Sequence, residues 1–548
     1  MNGVSDSSFD STGFVTVQLN DEPSLALDLI PARISLVRRL AQDVRRCQPP
    51  EVYGIHGDWG SGKTGFLQRL QYELAGECGQ NSEGETLLEK EAERAEHEKE
   101  GRKDRRRPSE PVWWTDRQLA WKQVVPIWFE AWRYQNEAAP IVALLQEMRS
   151  QLSHSSKIME FIGKTAEVTL RGALLSIESI TKKIGLQASK VEKAGEDWEK
   201  RNLAEALPSN QLRDLLDKTL AELLGSEMKP GKALEDTLSE RRVVIFIDDL
   251  DRCDPATAVR LLDGLKIYLN LRRCVIVLAF NYEQIKRAVA SALPVPAGAG
   301  PQGALAQEYI EKLCGHVVRL PLLDNVAQRQ LVSGWLKGHA KANRNVALAF
   351  AVEMRRLIEV YEFLPANARR IKAWCNTLLR LYHRRQWQLW LRGGGAPGDG
   401  ADEKWREVDP PAAEAVHLAI LACFQQFHPE LFHIVESEPE FYEELRSALL
   451  QSDQPDLSEA RKTLLGKVGR LPFKVKVTIN PSTSLPDPPV YISEFADPAS
   501  LDVFHCLKLV IATALTPGKL KDYLSESGSL PAAAPVVVVP PSPPPAGS

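Results

Sequence analysis

The run GDWGSGKT, Gly57 to Thr64, is the part of this 548-residue chain whose residue types and spacing most plainly carry chemistry. Glycines at 57, 60 and 62 let a backbone curl until its N–H groups converge on phosphate oxygens. Asp58, Trp59 and Ser61 complete the loop. The helix expected from Thr64 to Ala75 adds about half a positive charge at its N-terminus. Lys63, read as an exposed loop side chain, suits the outer phosphates, and Thr64 offers a hydroxyl to Mg²⁺. The loop follows Glu51 to Gly57, read as a short buried strand, which is the context a phosphate-binding loop requires.

A second cluster lies in RRVVIFIDDLDR, Arg241 to Arg252. An apolar strand that delivers acids at its C-terminal end suits a metal-linked carboxylate and a base. Asp248 is assigned to the Mg²⁺ shell. Asp249 is assigned to orient or deprotonate an attacking water, with Asp251 its competitor for that role. Asp254 and Pro255 read as a helix cap and first turn.

Strands are further expected at Val124 to Phe129, Val243 to Ile247, Cys274 to Phe280 and Val317 to Leu322. Near-continuous β-branched runs separated by helical stretches indicate a parallel sheet covered on both faces. A helix is expected at Ala32 to Arg46, where Leu36, Leu40 and Val44 share a face. The fold class is therefore α/β: a parallel-sheet core with helical insertions and a helical lid, followed by a mainly helical C-terminal region.

The division reads as a flexible arm at 1–24, a core at 25–323, a lid at 324–392, a glycine-rich linker at 393–404, a mainly helical domain at 405–527 and a proline-rich tail at 528–548. The core carries a charged insertion at 76–110 and a helical one at 141–240. Phe473 to Ile479 alternates as one local strand would.

Composition narrows the class. A net charge of −4 gives no global drive towards nucleic acid or anionic lipid. The basic run Arg102 to Arg107 lies beside an acidic one, and a nucleic-acid role is weakly supported. Eight scattered cysteines with no CxxC pair fit reduced thiols in cytosol. The first fifteen residues do not read as a signal peptide. Phe161 to Ile184 is broken by Lys164, Glu167, Arg171 and Glu178, each costing roughly 2.5–3.5 kcal/mol at mid-bilayer. It reads as an amphipathic helix, and the chain as cytoplasmic with no transmembrane segment.

WFEAWRY (Trp128 to Tyr134), VVIFIDDLDRCDP (Val243 to Pro255), VIVLAFNYEQI (Val275 to Ile285), YIEKLCGHVVRLP (Tyr309 to Pro321) and NARRIKAWCN (Asn367 to Asn376) together resemble successive signatures of the KAP NTPases. That family groups bacterial phage-exclusion factors with an animal membrane-anchored ankyrin-repeat scaffold. The resemblance spans roughly residues 20–390. It implies an ASCE-type P-loop core related to the AAA+ and STAND groups, ATP as the nucleotide with Mg²⁺, and a motor or switch function.

The same resemblance assigns further roles. Asn281 falls at the sensor-1 position, where the family usually carries aspartate, though it also suits a helix cap. Glu130 stands where asparagine is typical. Arg369 matches the sensor-2 arginine of an N-P-R motif, here N-A-R because Ala368 replaces proline. Lys312 is a candidate finger completing a neighbouring subunit's site, with Arg252 a second candidate; Lys312 equally suits a pair with Glu308. Self-association or an ATP-dependent complex with protein partners is implied. A nucleotide-gated scaffold with little turnover is the alternative.

Overall fold

The computed structural model describes residues 31–76, 121–137, 140–158, 209–224, 241–292, 302–343, 346–395, 404–450, 474–476, 490–492 and 513–524, with 175, 177, 178, 509 and 510. The expected arm, the charged insertion, most of the 141–240 insertion, most of Phe161 to Ile184 and the tail lie outside them.

The described chain divides after Leu322 into two compact units. The first contains α1 (Pro31–Arg46), β1 (Glu51–His56), α2 (Lys63–Ala75), β2 (Val124–Glu130), α3 (Pro140–His154), α4 (Ser209–Leu224), β3 (Arg242–Asp248), α5 (Pro255–Tyr268), β4 (Cys274–Phe280), α6 (Tyr282–Ala292), α7 (Gln302–Leu313) and β5 (His316–Arg319). Its strands form one sheet in the order β2-β3-β4-β1-β5, and every neighbouring pair is parallel.

Burial explains that order. Every residue of β3 (RVVIFID) and β4 (CVIVLAF) is buried, as strands covered on both faces must be. Side chains alternate between two cores. Val243, Ile245, Ile247, Ile276 and Leu278 face the larger one, filled by Leu144 and Met148 of α3, Leu216 and Leu220 of α4, and Leu261 and Leu265 of α5. Val244, Phe246, Val275 and Val277 face the other, against Val37, Leu40 and Val44 of α1 and Phe66, Leu67 and Leu70 of α2. Each such side chain contributes about 1.5–3 kcal/mol by leaving water. The edge strand β5 is HVVR, three of its four residues exposed. Its observed limits, His316–Arg319, are shorter and earlier than the Val317 to Leu322 its sequence suggests, because an edge strand lacks the continuous apolar signal of a buried one.

Parallel pairing sets the consequence for function: the C-terminal ends of all five strands open on one edge of the sheet. β1 and β3 both flank β4. The loop after β1 and the acids after β3 therefore lie about 10 Å apart in sheet spacing, two strand widths. A long side chain spans that gap.

The second unit contains α8 (Asn325–Asn343), α9 (Leu348–Tyr361), α10 (Ala368–Arg392), α11 (Ala415–Phe427), α12 (Pro429–Ser437), α13 (Phe441–Leu450), a two-stranded ribbon of β6 (Lys474–Lys476) and β7 (Val490–Ile492), and α14 (Pro517–Leu524). The Asn367 side chain caps α10 by accepting the Arg370 N–H at 3.1 Å. The basic residues of α10 are only partly solvated: Arg385 is buried and forks onto Glu414 at 2.7 and 2.9 Å, and Arg370 lies over the Phe427 ring. Trp387 packs against Trp390 and Trp405. No described helix is long and apolar enough to cross a membrane.

Candidate functional site

The loop between β1 and α2 folds as its glycines require. Gly60 and Gly62 take φ of 77° and 91°, a region that side-chain-bearing residues rarely adopt. A Cβ on Gly57 would stand 2.5 Å from the Ser61 hydroxyl and 3.3 Å from Lys63 Cγ, so the turn closes only with glycine there. The loop carries Asp58 and exposed Trp59 on its outer side, and the buried Ser61 hydroxyl has no partner among the described residues.

Lys63 departs from its expected exposure. It is 7% exposed, and its ammonium donates to the Gly57 carbonyl at 3.1 Å, the Asp58 carbonyl at 3.4 Å and Asp251 Oδ2 at 2.9 Å. Its aliphatic stem packs under the loop, and the charge crosses the two-strand gap to the acids after β3. Three donors meet three acceptors. Asp251 Oδ1, also buried, meets no partner among the described residues.

Asp248 ends β3 inside the protein, 2% exposed. It accepts the Thr64 hydroxyl and, at 2.9 Å, the Asp249 N–H. Burial, and then the Asp249 charge, push its carboxyl up to about 6. Asp249 sits in a left-handed conformation, φ 57°, which aspartate tolerates better than most residues. That twist opens a short 3₁₀ turn, Leu250–Arg252, and places Asp249 Oδ1 2.9 Å from Arg252 Nε. Burial raises its pKa, while the Arg252 charge opposes the rise. Asp254 caps α5 by accepting the Thr257 N–H at 3.0 Å, with Pro255 following.

Asn281 does two things at the end of β4. Its Oδ1 caps α6 by accepting the Gln284 N–H at 3.1 Å, and its amide donates to Asp58 Oδ1 at 3.3 Å. Glu130 ends β2 in register with Asp248, adds a like charge near Asp249, and pairs with Arg133. Lys312, on the exposed face of α7, pairs with Glu308 at 2.6 Å and with none of these groups. Arg369 belongs to α10 of the second unit.

Gly57 to Thr64, Asp248, Asp249, Asp251, Asn281 and Glu130 thus gather at one edge of one sheet. The donor set suits a hard cation shared with phosphate: a hydroxyl and a carboxylate already in contact, and a loop too tight for side chains. Across residues 33–385, well over half its length, the chain matches the KAP family P-loop domain.

This protein belongs to the KAP family of P-loop NTPases.

No curated protein matches the chain. Among solved structures it is similar to the Aeropyrum pernix ORC2 protein in its ADPNP-ADP complexes, at 12% identity and a TM-score of 0.30, over 91% of this chain and 96% of that one. Nothing about the chemistry of this chain rests on that likeness. The KAP assignment and the sheet together make it a nucleotide-binding domain of the P-loop kind.

Two residues of the KAP site carry no sequence motif. His56 closes β1, and its Nδ1 accepts the Tyr282 N–H at 3.0 Å, tying the exits of β1 and β4. Arg33, three residues into α1, is 2% exposed and donates to the Ser61 carbonyl at 2.7 Å and the Pro321 carbonyl at 3.0 Å. Backbone N–H and carbonyl groups leave no trace in a sequence, so neither contact was legible there.

Proposed function

We propose that this KAP protein binds ATP with Mg²⁺ and hydrolyses it, as a motor or regulatory switch acting with protein partners. The observation that carries this reading is the reach of Lys63 from the phosphate loop to Asp251, beside the Thr64–Asp248 pair.

In this reading the N–H groups of Gly60, Gly62 and Lys63 hold phosphate oxygens, and Lys63 leaves Asp251 to meet the outer phosphates. Thr64 and Asp248 would hold Mg²⁺, which would supply positive charge to offset that of the phosphates. Asp249 orients the attacking water and takes its proton. Asp251, released by Lys63, is the neighbouring carboxylate that can do the same. Asn281, already bonded to Asp58, meets the γ-phosphate or the water through its amide. Glu130 tunes the acids from the next strand.

Steady-state phosphate release and fluorescent-nucleotide binding, each with Mg²⁺ and with a chelator, test this reading. Saturable binding with Mg²⁺-dependent release is expected; no binding under either condition refutes it. The alternative, a nucleotide-gated scaffold with little turnover, gains support from the clasp of Lys63 by three acceptors. Tight binding without release, with or without cellular extract, selects it. A role in an anti-phage defence complex rests on family association alone. A bacterial host carrying the gene should lower phage plating, and Lys63→Ala should restore it.

A further inference from the structure

Arg33 is a buried cation without an anion. It lies 2% exposed on α1, and among the described residues no carboxylate pairs with it. Its two terminal nitrogens are spent on neutral carbonyls, of Ser61 at 2.7 Å and Pro321 at 3.0 Å, while its Nε is buried with no partner among the described residues. An uncompensated buried charge is expensive, and an arriving anion would offset that cost.

The contact with Ser61 has a geometric consequence. In a trans peptide the carbonyl and the following N–H point in opposite directions. Because the Ser61 carbonyl is turned onto Arg33, the Gly62 N–H of the same peptide points away from the guanidinium. Among the described residues no acceptor meets that N–H. Gly62 holds φ 91°, and a Cβ there would lie 3.1 Å from Arg33 Nη1, so the guanidinium sits directly behind this peptide. Donation from a cation to the carbonyl also polarises the peptide and strengthens its N–H as a donor.

We propose that Arg33 positions the phosphate cradle: it locks the Ser61–Gly62 peptide with its N–H towards the bound polyphosphate and places a second buried positive charge behind the loop. The inference rests on the nucleotide-binding reading above and deepens it. The bond to Pro321 anchors the guanidinium to the chain leaving β5, so Arg33 cannot swing out into solvent with the loop. A lysine in its place keeps the charge but cannot reach both carbonyls with one planar fork.

The test uses the full chain, with mant-ADP titrated by fluorescence and inorganic pyrophosphate as competitor, and melting temperatures recorded alongside. Arg33→Gln should weaken both probes by about thirtyfold, the loss of a charge-assisted contact. Arg33→Lys should fall between, at about threefold to tenfold. If Arg33→Gln does not fold, Arg33→Lys decides by itself. A folded variant that binds pyrophosphate within about twofold of the wild type overturns the proposal, even if its melting temperature drops, because Arg33 then serves stability alone. If the wild type binds neither probe, the nucleotide-binding reading fails first. A wild type that binds and an Arg33 variant that binds equally well leave that reading standing and remove only Arg33.

Discussion

Asp248 is the residue where stability and function oppose each other most directly. Its carboxyl is pushed up to about 6 from an ordinary value of 3.8, chiefly by burial. A carboxylate raised in this way makes the fold less stable at pH 7, and the cost is relieved as pH falls through 6 towards 3.8. Asp248→Asn should therefore stabilise the nucleotide-free protein, by on the order of 1–3 kcal/mol, while weakening Mg²⁺-dependent nucleotide affinity. Melting curves and titrations on the same preparation check both halves; a variant less stable than wild type contradicts the assignment of the shift to burial. Asp251 makes the converse case. It competes with phosphate for Lys63, so Asp251→Asn should raise nucleotide affinity by roughly tenfold and lower the stability of the free protein, because a buried pair is broken. Asp249→Asn should leave nucleotide bound but uncleaved. If Asp251→Asn stops turnover while Asp249→Asn remains active, the base lies two positions further on. The acids were legible as a group from DDLDR, because an apolar strand ending in carboxylates is a strong signal. Their division of labour was not: the twist at Asp249, φ 57°, turns one acid to Arg252 and leaves another for Lys63. The burial of Lys63 was equally hidden, since it depends on an acid 188 positions away.

At the scale of elements, what could be read in advance tracked burial. β3 and β4 are buried throughout and their limits in the sequence match their limits in the fold almost residue for residue. β5 is an exposed edge, and its limits could not be read. The strand order depends on long-range pairing, which no local pattern carries. Among the helices, α10 and α11 hold a polar cluster that no motif announced. His417 of α11 is 6% exposed, its Nδ1 lies 3.0 Å from the Tyr523 hydroxyl and its Nε2 3.4 Å from Thr513 Oγ1. Burial, with Lys519 adding to it, pulls its imidazole down to about 4 from 6.5. The unfolded chain therefore binds this proton more readily, and the neutral ring's contribution is complete above 6.5 and lost as pH falls towards 4. The helical unit should lose on the order of 2 kcal/mol by pH 5, and His417→Gln should flatten that part of the profile. Denaturant melts between pH 5 and 7 measure it. Equal slopes for variant and wild type would rule His417 out as the source.

At the scale of the whole molecule, the open matter is what completes the site. Lys312 pairs with Glu308 on its own helix, a solvent-screened contact that an incoming phosphate outcompetes. Arg252 is held by Asp249 within the same chain. If Lys312 acts on a neighbour's nucleotide, specific activity should rise with protein concentration, and Lys312→Ala should remove the rise, since such a finger is worth about 10³–10⁵ in rate. Flat specific activity over a wide dilution series, with monomers throughout by light scattering, disposes of that role. All of this stands on nucleotide occupying the loop from Gly57 to Thr64. Equilibrium titration of ATP with Mg²⁺ tests that most directly, comparing wild type, Asp251→Asn, and Asp251→Asn with Lys63→Ala, so that no carboxylate is left buried when the lysine goes. The account predicts saturable binding by wild type, tighter binding by Asp251→Asn, and none by the double variant. A folded double variant that binds ATP as the wild type does would contradict it.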